Sequence, residues 1–581
     1  MEKSKSLLKR VWREKLLDQN KIQRLSQKKS ISEIFSKLLI GRGVDENNLD
    51  QFLNPNIIID TPNPFELKDM KKGVDMCIKA LRNNERIGII ADYDVDGSTS
   101  ASILYKFLNN YTTKLTCKIP NRLSEGYGPN IRLMNEMLNE KVNLVFTLDC
   151  GTSSFNIIDH SDYKEIDVIV IDHHLSEYKL PKVGSIINPN RYDEENNYRD
   201  FAAVGVTFLF LMALRKQIRE LNLFPKIVEP NLMSYLDLVA VGTICDIVNI
   251  KNYNRSLVKK GLELIVKRRN KSITSIIDNS NINSTPSAKD IGFFVGPQIN
   301  AASRIDDSSL ASKLLVTNDV NEIETISRKL FLINEKRKII EETIFNDAIK
   351  QIDTQINNKF FVVYNNNWHN GVLGIVASKI VNLYHKPTFV LSFEKNFGVG
   401  SGRSIDQIDI GSIVIELKNN NLIENGGGHK MAVGIKIKKD QIDGFKKFLT
   451  EKFNKYEEKF FEKIMYYDSE ISVNLINSKL INILEQMEPY GKGNEEPQFL
   501  IKDIIIENIK VLKNKHILIN FKNDLGENLK GISFNILNTE FGDHILKHNQ
   551  YKFDFLCSIK KDNYSGSNLP QIQIIDAKII N

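Results

Sequence analysis

The chain has 581 residues, of which 41% are hydrophobic and 26% charged, and a formal net charge of +7. That length predicts three to five domains with ample buried core, and no apolar run reaches the ~18 residues needed to cross a bilayer, so a cytoplasmic protein with no membrane partner is expected. Five cysteines without a C-x-x-C pair argue for reduced thiols and against a disulfide or zinc framework.

Residues 1–40 hold eleven Lys/Arg against four Asp/Glu, a surplus equal to that of the whole chain. A basic helical arm is therefore expected over 1–70. Such an arm fits phosphate contacts, and equally a solvated helix face or an organellar transit peptide. From 71 to 250, strand-like runs at 87–91, 142–148, 167–171 and 184–188 alternate with helical segments, the first at 98–108. The pattern predicts a doubly wound α/β domain. A helical connector spans 251–358, where Ile323, Ile326, Leu330, Ile333, Ile340, Ile344 and Ala348 keep the spacing of one long helix over 320–352. A second α/β domain covers 359–455 and contains two glycine-rich segments, 398–404 and 424–430, read as loops. In 456–581 the texture becomes β-like, with runs at 499–512, 516–522, 529–535, 551–559 and 571–579 and a turn at 523–526. These predict a small β-barrel, and an OB-fold is the commonest such barrel that binds nucleic acid. Tyr490, Phe521, Phe534 and Phe555 are its candidate stacking rings.

The chemistry concentrates where apolar runs end. Asp92, Asp94 and Asp96 in ADYDVDG follow the first run, Asp149 the second, and Asp172-His173-His174 the third. In a parallel sheet such strand ends gather in one crevice, which suggests a two-metal phosphoesterase. An EF-hand reading of DYDVDG fails because position twelve of the loop is Ile103, which cannot chelate. Two divalent cations ~4 Å apart activate a water and stabilise the leaving oxygen, and Asp94, Asp96 and Asp149 are candidates to bridge them. Asp246 ends another apolar run and is either a fourth carboxylate ligand or a helix cap. Imidazole from His173 among oxygen donors tilts preference toward Mn²⁺ over Mg²⁺. His174 should point elsewhere, to hold a phosphoryl oxygen or protonate the leaving group. Arg304, Arg403 and His429 could supply charge to an anion near the glycine-rich segments.

Ten ordered motifs carry a resemblance over nearly the whole chain: ADYDVDG (91–97), NRLSEGYG (121–128), TLDCG (147–151), IDHH (171–174), VGTICDIV (241–248), GPQINAASRIDD (296–307), WHNGVLGIVASKI (368–380), GSGRS (400–404), GGGHKMA (426–432) and EPYGKGNEEP (488–497). The chain resembles the single-stranded-DNA exonucleases of the DHH phosphoesterase superfamily. The resemblance implies DHH and DHH-associated α/β domains joined by a long helix around a central cleft, with a C-terminal OB-fold β-barrel. It implies that Asp94, Asp96, Asp149, His173 and Asp246 hold two divalent cations, Mn²⁺ before Mg²⁺, with Asp92 in or next to the ligand set. His174 would act on the phosphate, and Arg122, Arg304, Ser401, Arg403 and His429 would hold the DNA backbone or a terminal phosphate. Cleavage of single-stranded DNA from 5′ to 3′, in recombination and repair, is the implied activity. A monomer is expected, with a single-strand-binding protein and a helicase as candidate partners. Rival readings are a DHH phosphohydrolase of small phosphoesters, which would resemble only the two α/β blocks and lack the N-terminal arm and C-terminal barrel; a catalytically dead scaffold, which would have lost the ligand residues that stand intact here; and an aminoacylation-editing module, which shares the GGGH element but would not need the metal motifs. Ile90 replaces a histidine common in the superfamily, and Gln298 and Ser303 depart from the more usual GPRLNAAGR.

Overall fold

Five parallel strands form the first sheet, in the spatial order Leu115–Lys118, Ile87–Ala91, Leu144–Leu148, Asp167–Ile171, Ser185–Ile187. The computed structural model describes residues 5–196, 198–282, 284–522, 526, 528–562 and 569–580; the turn expected at 523–526 lies outside them except for Gly526. Ile87–Ala91 and Leu144–Leu148 are buried at every position, as a sheet covered on both faces requires. The chain leaves Ile87–Ala91 toward one edge and returns to its other side at Leu144–Leu148. The order thus reverses between these two strands, where a ligand crevice opens at their carboxyl ends. The edge strand Leu115–Lys118 escapes the sequence reading because it is only half-buried and lysines flank its short apolar run.

The first helix, Val95–Leu108, starts three residues earlier than its apolar spacing suggests, so Asp96 lies within its first turn. The expected connecting helix is a single helix, Val320–Asp353, capped by the Asp319 carboxylate. A second sheet follows in the order Asn425–His429, Ala432–Lys438, Phe397–Arg403, Thr388–Glu394, Phe361–Asn366, antiparallel except for the last pair. Both glycine-rich segments, expected as loops, are strands of this sheet. Their glycines make room for neighbouring side chains: a Cβ at Gly400 would lie 2.1 Å from Leu391 Cδ2, and one at Gly402 2.6 Å from Val433 Cγ2. These elements belong to one compact unit, Thr61–Val248 with Lys260–Phe461.

The other unit draws together residues 5–60, Asn249–Lys259 and 462–580. Its sheet has seven strands in the order Ser469–Glu470, Phe499–Ile504, Lys552–Lys561, Pro570–Ile580, Asn528–Ser533, His516–Lys522, Asn508–Leu512. The basic segment expected as a separate arm over 1–70 is built into this unit as far as Asp60. Val11–Glu14 pairs in parallel with Ile464–Tyr467, and Leu25, Phe35, Leu38 and Phe52 share a core with Phe499, Phe521 and Phe555. Several of its cations are committed locally: Lys15 to Asp468 at 3.0 Å, Lys37 to Glu14 at 2.5 Å, and Arg24 and Lys28 to Glu46. Of the four candidate stacking rings, Phe521 and Phe555 are buried core and Tyr490 packs against that core, while Phe534 is exposed.

Candidate metal centre

Each of the three central strands hands its next position to an aspartate still tied to the neighbouring strand. Asp92 N–H donates to Leu148 O at 3.1 Å, Asp149 N–H to Ile171 O at 2.9 Å and Asp172 N–H to Ile187 O at 3.2 Å. Asp149 then leaves the sheet in the left-handed conformation, φ 58°, which aspartate tolerates better than most residues. The following helix starts so close to the first strand end that a Cβ at Gly97 would sit 2.4 Å from Asp92 O. Asp94 caps that helix, accepting from Gly97 N–H at 3.0 Å. Asp96 reaches across to the start of the helix Ala203–Glu220, accepting from Ala203 N–H at 2.6 Å and Val204 N–H at 2.8 Å. Asp246 follows the helix Leu236–Cys245 as its C-terminal cap, and not a strand. A carboxylate at that end of a helix is disfavoured by the dipole, and a nearby cation would offset this.

Three sets of potential ligand atoms converge: Asp92, Asp94 and Asp149; Asp96, His173 and Asp246; Asp149, His173 and His174. His173 Nε2 lies 3.3 Å from Asp149 Oδ1, 3.5 Å from Asp246 Oδ2 and 3.8 Å from Asp96 Oδ2. Asp92 Oδ1, Asp149 Oδ1 and His173 Nε2 are buried without a hydrogen-bond partner among the described residues. Buried polar atoms are normally paired, so this convergence of orphaned donors fits divalent cations. Burial, then the charge of Asp94, pushes the Asp92 carboxyl well above the usual range. Burial and the charges of Asp96, Asp94 and Asp92 do the same to Asp149. Asp96 is pushed up to about 7 by burial and then by Asp246. The metal-free cluster is thus electrostatically frustrated, and cations are what would relieve it.

Asp172 plays a different part. Its carboxylate accepts from Thr152 N–H, His173 N–H and His174 N–H, and pairs with His174 Nδ1 at 2.8 Å. Burial alone would raise this carboxyl, but the hydrogen bond and charge of His174, with Thr152, hold it well below the usual range. Burial opposes charge on His174 too, yet the Asp172 contact prevails and raises it to about 9. Tyr127 donates to Asp149 O at 2.6 Å and lies 3.1 Å from His174 Nδ1. The amides of Asn188 and Asn190 hold the carbonyls of His174 and His173. Sequence reasoning placed Asp172 at a strand end of the crevice without giving it a role, and passed over Tyr127 and these asparagines as site members. A signal for Asp172 lay in its place at the end of a buried strand.

Cationic side chains from three separate elements gather beside the carboxylates. Arg122 lies over the Tyr93 ring, 4.9 Å from its centroid, and its charge acts on Asp92. Burial, then repulsion from Arg122, Arg337 and Arg403, lowers Arg304 to about 10. Burial and Arg122 likewise lower Arg403. Arg403 Nη1 donates to Ser401 Oγ at 2.7 Å and Gly402 O at 2.8 Å, and Arg304 Nη1 to Gly371 O at 3.2 Å. His429 sits exposed at a strand end, opposite Ala432, which pairs in turn with Arg403. Half-buried guanidinium groups that repel one another make a cleft suited to an anion.

The chain matches the family model of the DHH family, N-terminal domain, over residues 86–243, the DHHA1 domain over 357–455 and the RecJ OB domain over 467–576. The single-stranded-DNA-specific exonuclease RecJ of Bacillus subtilis is 28% identical over 575 residues, spanning 98% of this chain and 71% of that protein. The crystal structure of RecJ in complex with Mn²⁺ from Thermus thermophilus superposes with a TM-score of 0.80 at 25% identity, over 98% of this chain and 80% of that one. The corresponding enzyme of Haemophilus influenzae is 31% identical over 501 residues, 84% of this chain and 87% of that protein. With its domains in this order and that likeness along its length, the chain belongs to the RecJ family of single-stranded-DNA-specific exonucleases.

Proposed function

We propose that this chain is a divalent-metal-dependent exonuclease that hydrolyses the phosphodiester bonds of single-stranded DNA from a 5′ end, in recombination and repair. The observation that carries the reading is the convergence of buried, unpartnered ligand atoms of Asp92, Asp149 and His173 beside the arginine-lined cleft. Asp92, Asp94, Asp96, Asp149, His173 and Asp246 would hold two divalent ions, and Asp149 belongs to two of the ligand sets. Two bound divalent ions supply an activated water and neutralise charge on the phosphoryl group. Asp172 ties His174 through Nδ1, leaving Nε2 to donate a proton to the leaving oxygen or a hydrogen bond to the phosphate. Arg122, Arg304 and Arg403, with Ser401 and His429, hold the backbone or a terminal phosphate, whose charge relieves their mutual repulsion. The substrate is single-stranded DNA, the working form is a cytoplasmic monomer, and a single-strand-binding protein and a helicase are its protein partners.

Single-stranded oligonucleotides labelled at the 5′ or the 3′ end, with first products sized, test both reaction and polarity. Short labelled products from the 5′ label at the earliest times are expected, and their first appearance from the 3′ label would reverse the polarity. Chelation should abolish turnover, and Mn²⁺ should restore it at lower concentration than Mg²⁺, because imidazole is a softer donor than carboxylate. Full turnover in Ca²⁺ alone, or Mg²⁺ superior at every concentration, would contradict this ligand set. Arg304→Ala and Arg403→Ala should each raise the apparent KM by about 10- to 100-fold, the loss of a charge-assisted hydrogen bond of ~1.5–3 kcal/mol. Metal affinity should be preserved in both; lost Mn²⁺ binding with unchanged DNA affinity would overturn their assignment.

A further inference from the structure

The helix that carries Arg304, Gly296–Ile305, is preceded by a π-helical turn, Ile291–Val295. Such turns occur frequently at functional sites. Here the turn holds two adjacent phenylalanines in solvent, Phe293 at 69% exposure and Phe294 at 46%. It also packs against the end of the helix that leads into Asp246. Cys245 Sγ donates to Ile291 O at 3.9 Å, and a Cβ at Gly296 would lie 2.6 Å from Cys245 Sγ. The residue after Asp246 is Ile247, 65% exposed and held at φ 59°. That conformation is strained for a β-branched side chain and persists only where its surroundings enforce it.

Gln298 fixes the turn. It is 2% exposed, and its amide donates to Phe294 O at 3.1 Å, Ser280 Oγ at 2.5 Å and Ile276 O at 3.5 Å. At this position a neutral amide satisfies the carbonyl of Phe294 through Nε2, although its own Oε1 is buried without a partner among the described residues, whereas a guanidinium would carry its charge inside.

From this geometry we propose that Phe293 and Phe294 form a stacking platform for the unpaired bases of the single-stranded substrate. The inference rests on the function proposed above and names how that site engages bases. The turn packs on Cys245, the neighbour of Asp246, and opens the helix whose far end carries Arg304. On this proposal a strand whose phosphates run from the arginines past Asp246 brings its bases to these rings. Unpaired bases present free faces to an aromatic surface, whereas those in a duplex are already stacked on one another.

The test compares wild-type enzyme with Phe293→Ala/Phe294→Ala on a 5′-phosphorylated oligonucleotide and on the same strand with tetrahydrofuran abasic sites near the 5′ end. The wild type should prefer the base-bearing strand by about tenfold in KM, since aromatic–base stacking is worth that much or more. The double variant should lose this discrimination through KM with little change in kcat, and Phe293→Trp/Phe294→Trp should keep it. A wild type that treats the two strands alike overturns the platform whatever the variant does. So does a double variant that still discriminates, or one whose loss accompanies a lost Mn²⁺-induced thermal shift, which would mean a disturbed metal site. A wild type that cleaves neither strand would instead overturn the nuclease reading.

Discussion

Asp149→Ala is expected to lower turnover on single-stranded DNA by about a thousandfold or more, since the proposed two-metal site would lose the several kcal/mol that correctly placed ions give the transition state. The size of the effect follows from position. Asp149 is shared by two of the three ligand sets, its Oδ1 is buried without a hydrogen-bond partner among the described residues, and its backbone is fixed by the ladder to Ile171 O. Neither Asp94 nor Asp246 can move to replace it, because each is bound to the end of a different helix. The same substitution should not unfold the protein. Burial and four neighbouring carboxylates already raise this carboxyl, so removing it relieves repulsion in the metal-free state. Thermal melts in chelator should therefore give Asp149→Ala, and Asp149→Asn still more clearly, a Tm at or above wild type, while Mn²⁺ stabilises the wild type far more than either variant. Near-wild-type cleavage by the folded variant in saturating Mn²⁺, or an undiminished Mn²⁺ shift, would remove Asp149 from the centre.

The parts of this site that could be read from sequence are those fixed by local pattern. A continuous apolar run ending in aspartate identifies a buried parallel strand and places its last side chain at the sheet's carboxyl edge, as Asp92, Asp149 and Asp172 bear out. The run before Asp246 has no such unique reading. Val239 to Cys245 is apolar but for Gly242 and Thr243, period alone cannot separate a buried helix from a buried strand, and the segment is helical. Glycines mislead in the opposite direction. A run such as Gly398–Gly402 looks like a loop, but in the sheet those glycines accommodate Phe393, Leu391 and Val433. The cationic cleft was not legible from spacing, since Arg122, Arg304 and Arg403 come from separate elements and meet only through the tertiary fold. Nor does net charge reveal how the first sixty residues are used. Counting lysines and arginines sees a basic arm, while Leu25, Phe35, Leu38 and Phe52 decide its fate by joining the second unit's core.

That last point changes what truncation near residue 460 should do. Since every proposed ligand and phosphate contact lies before residue 432, the sequence alone suggests that the β-rich C-terminal domain can be removed and an intact hydrolase kept. The structure argues that a chain ending at 460 will be largely insoluble. Removing 462–580 would expose Leu25, Phe35, Leu38, Leu39 and Phe52, which share that core. At ~1.5–3 kcal/mol for each large apolar side chain, five of them amount to roughly the whole stability of a typical domain, ~5–15 kcal/mol. Polar losses add to this. Arg255 is 1% exposed, lies 3.8 Å from the Phe52 ring centroid and donates to Phe52 O and Glu488 O at 2.7 Å each. Arg42 loses Asp468, its partner at 3.1 Å. Deleting residues 1–60 together with 462–581, and replacing Arg255 and the exposed apolar positions of 249–259 by polar residues, should recover soluble protein. It should keep the Mn²⁺-induced thermal shift and cleave short oligonucleotides, while binding long single strands weakly and with a flatter salt dependence, having lost the further phosphate contacts expected of an OB domain. Solubility and thermal melts of the two truncations, followed by Kd for a long strand across salt concentrations, decide the matter. A chain ending at 460 that melts cooperatively at the wild-type Tm would show that the first sixty residues do not depend on that core. An unchanged salt slope in the double deletion would assign all DNA contacts to the two α/β domains.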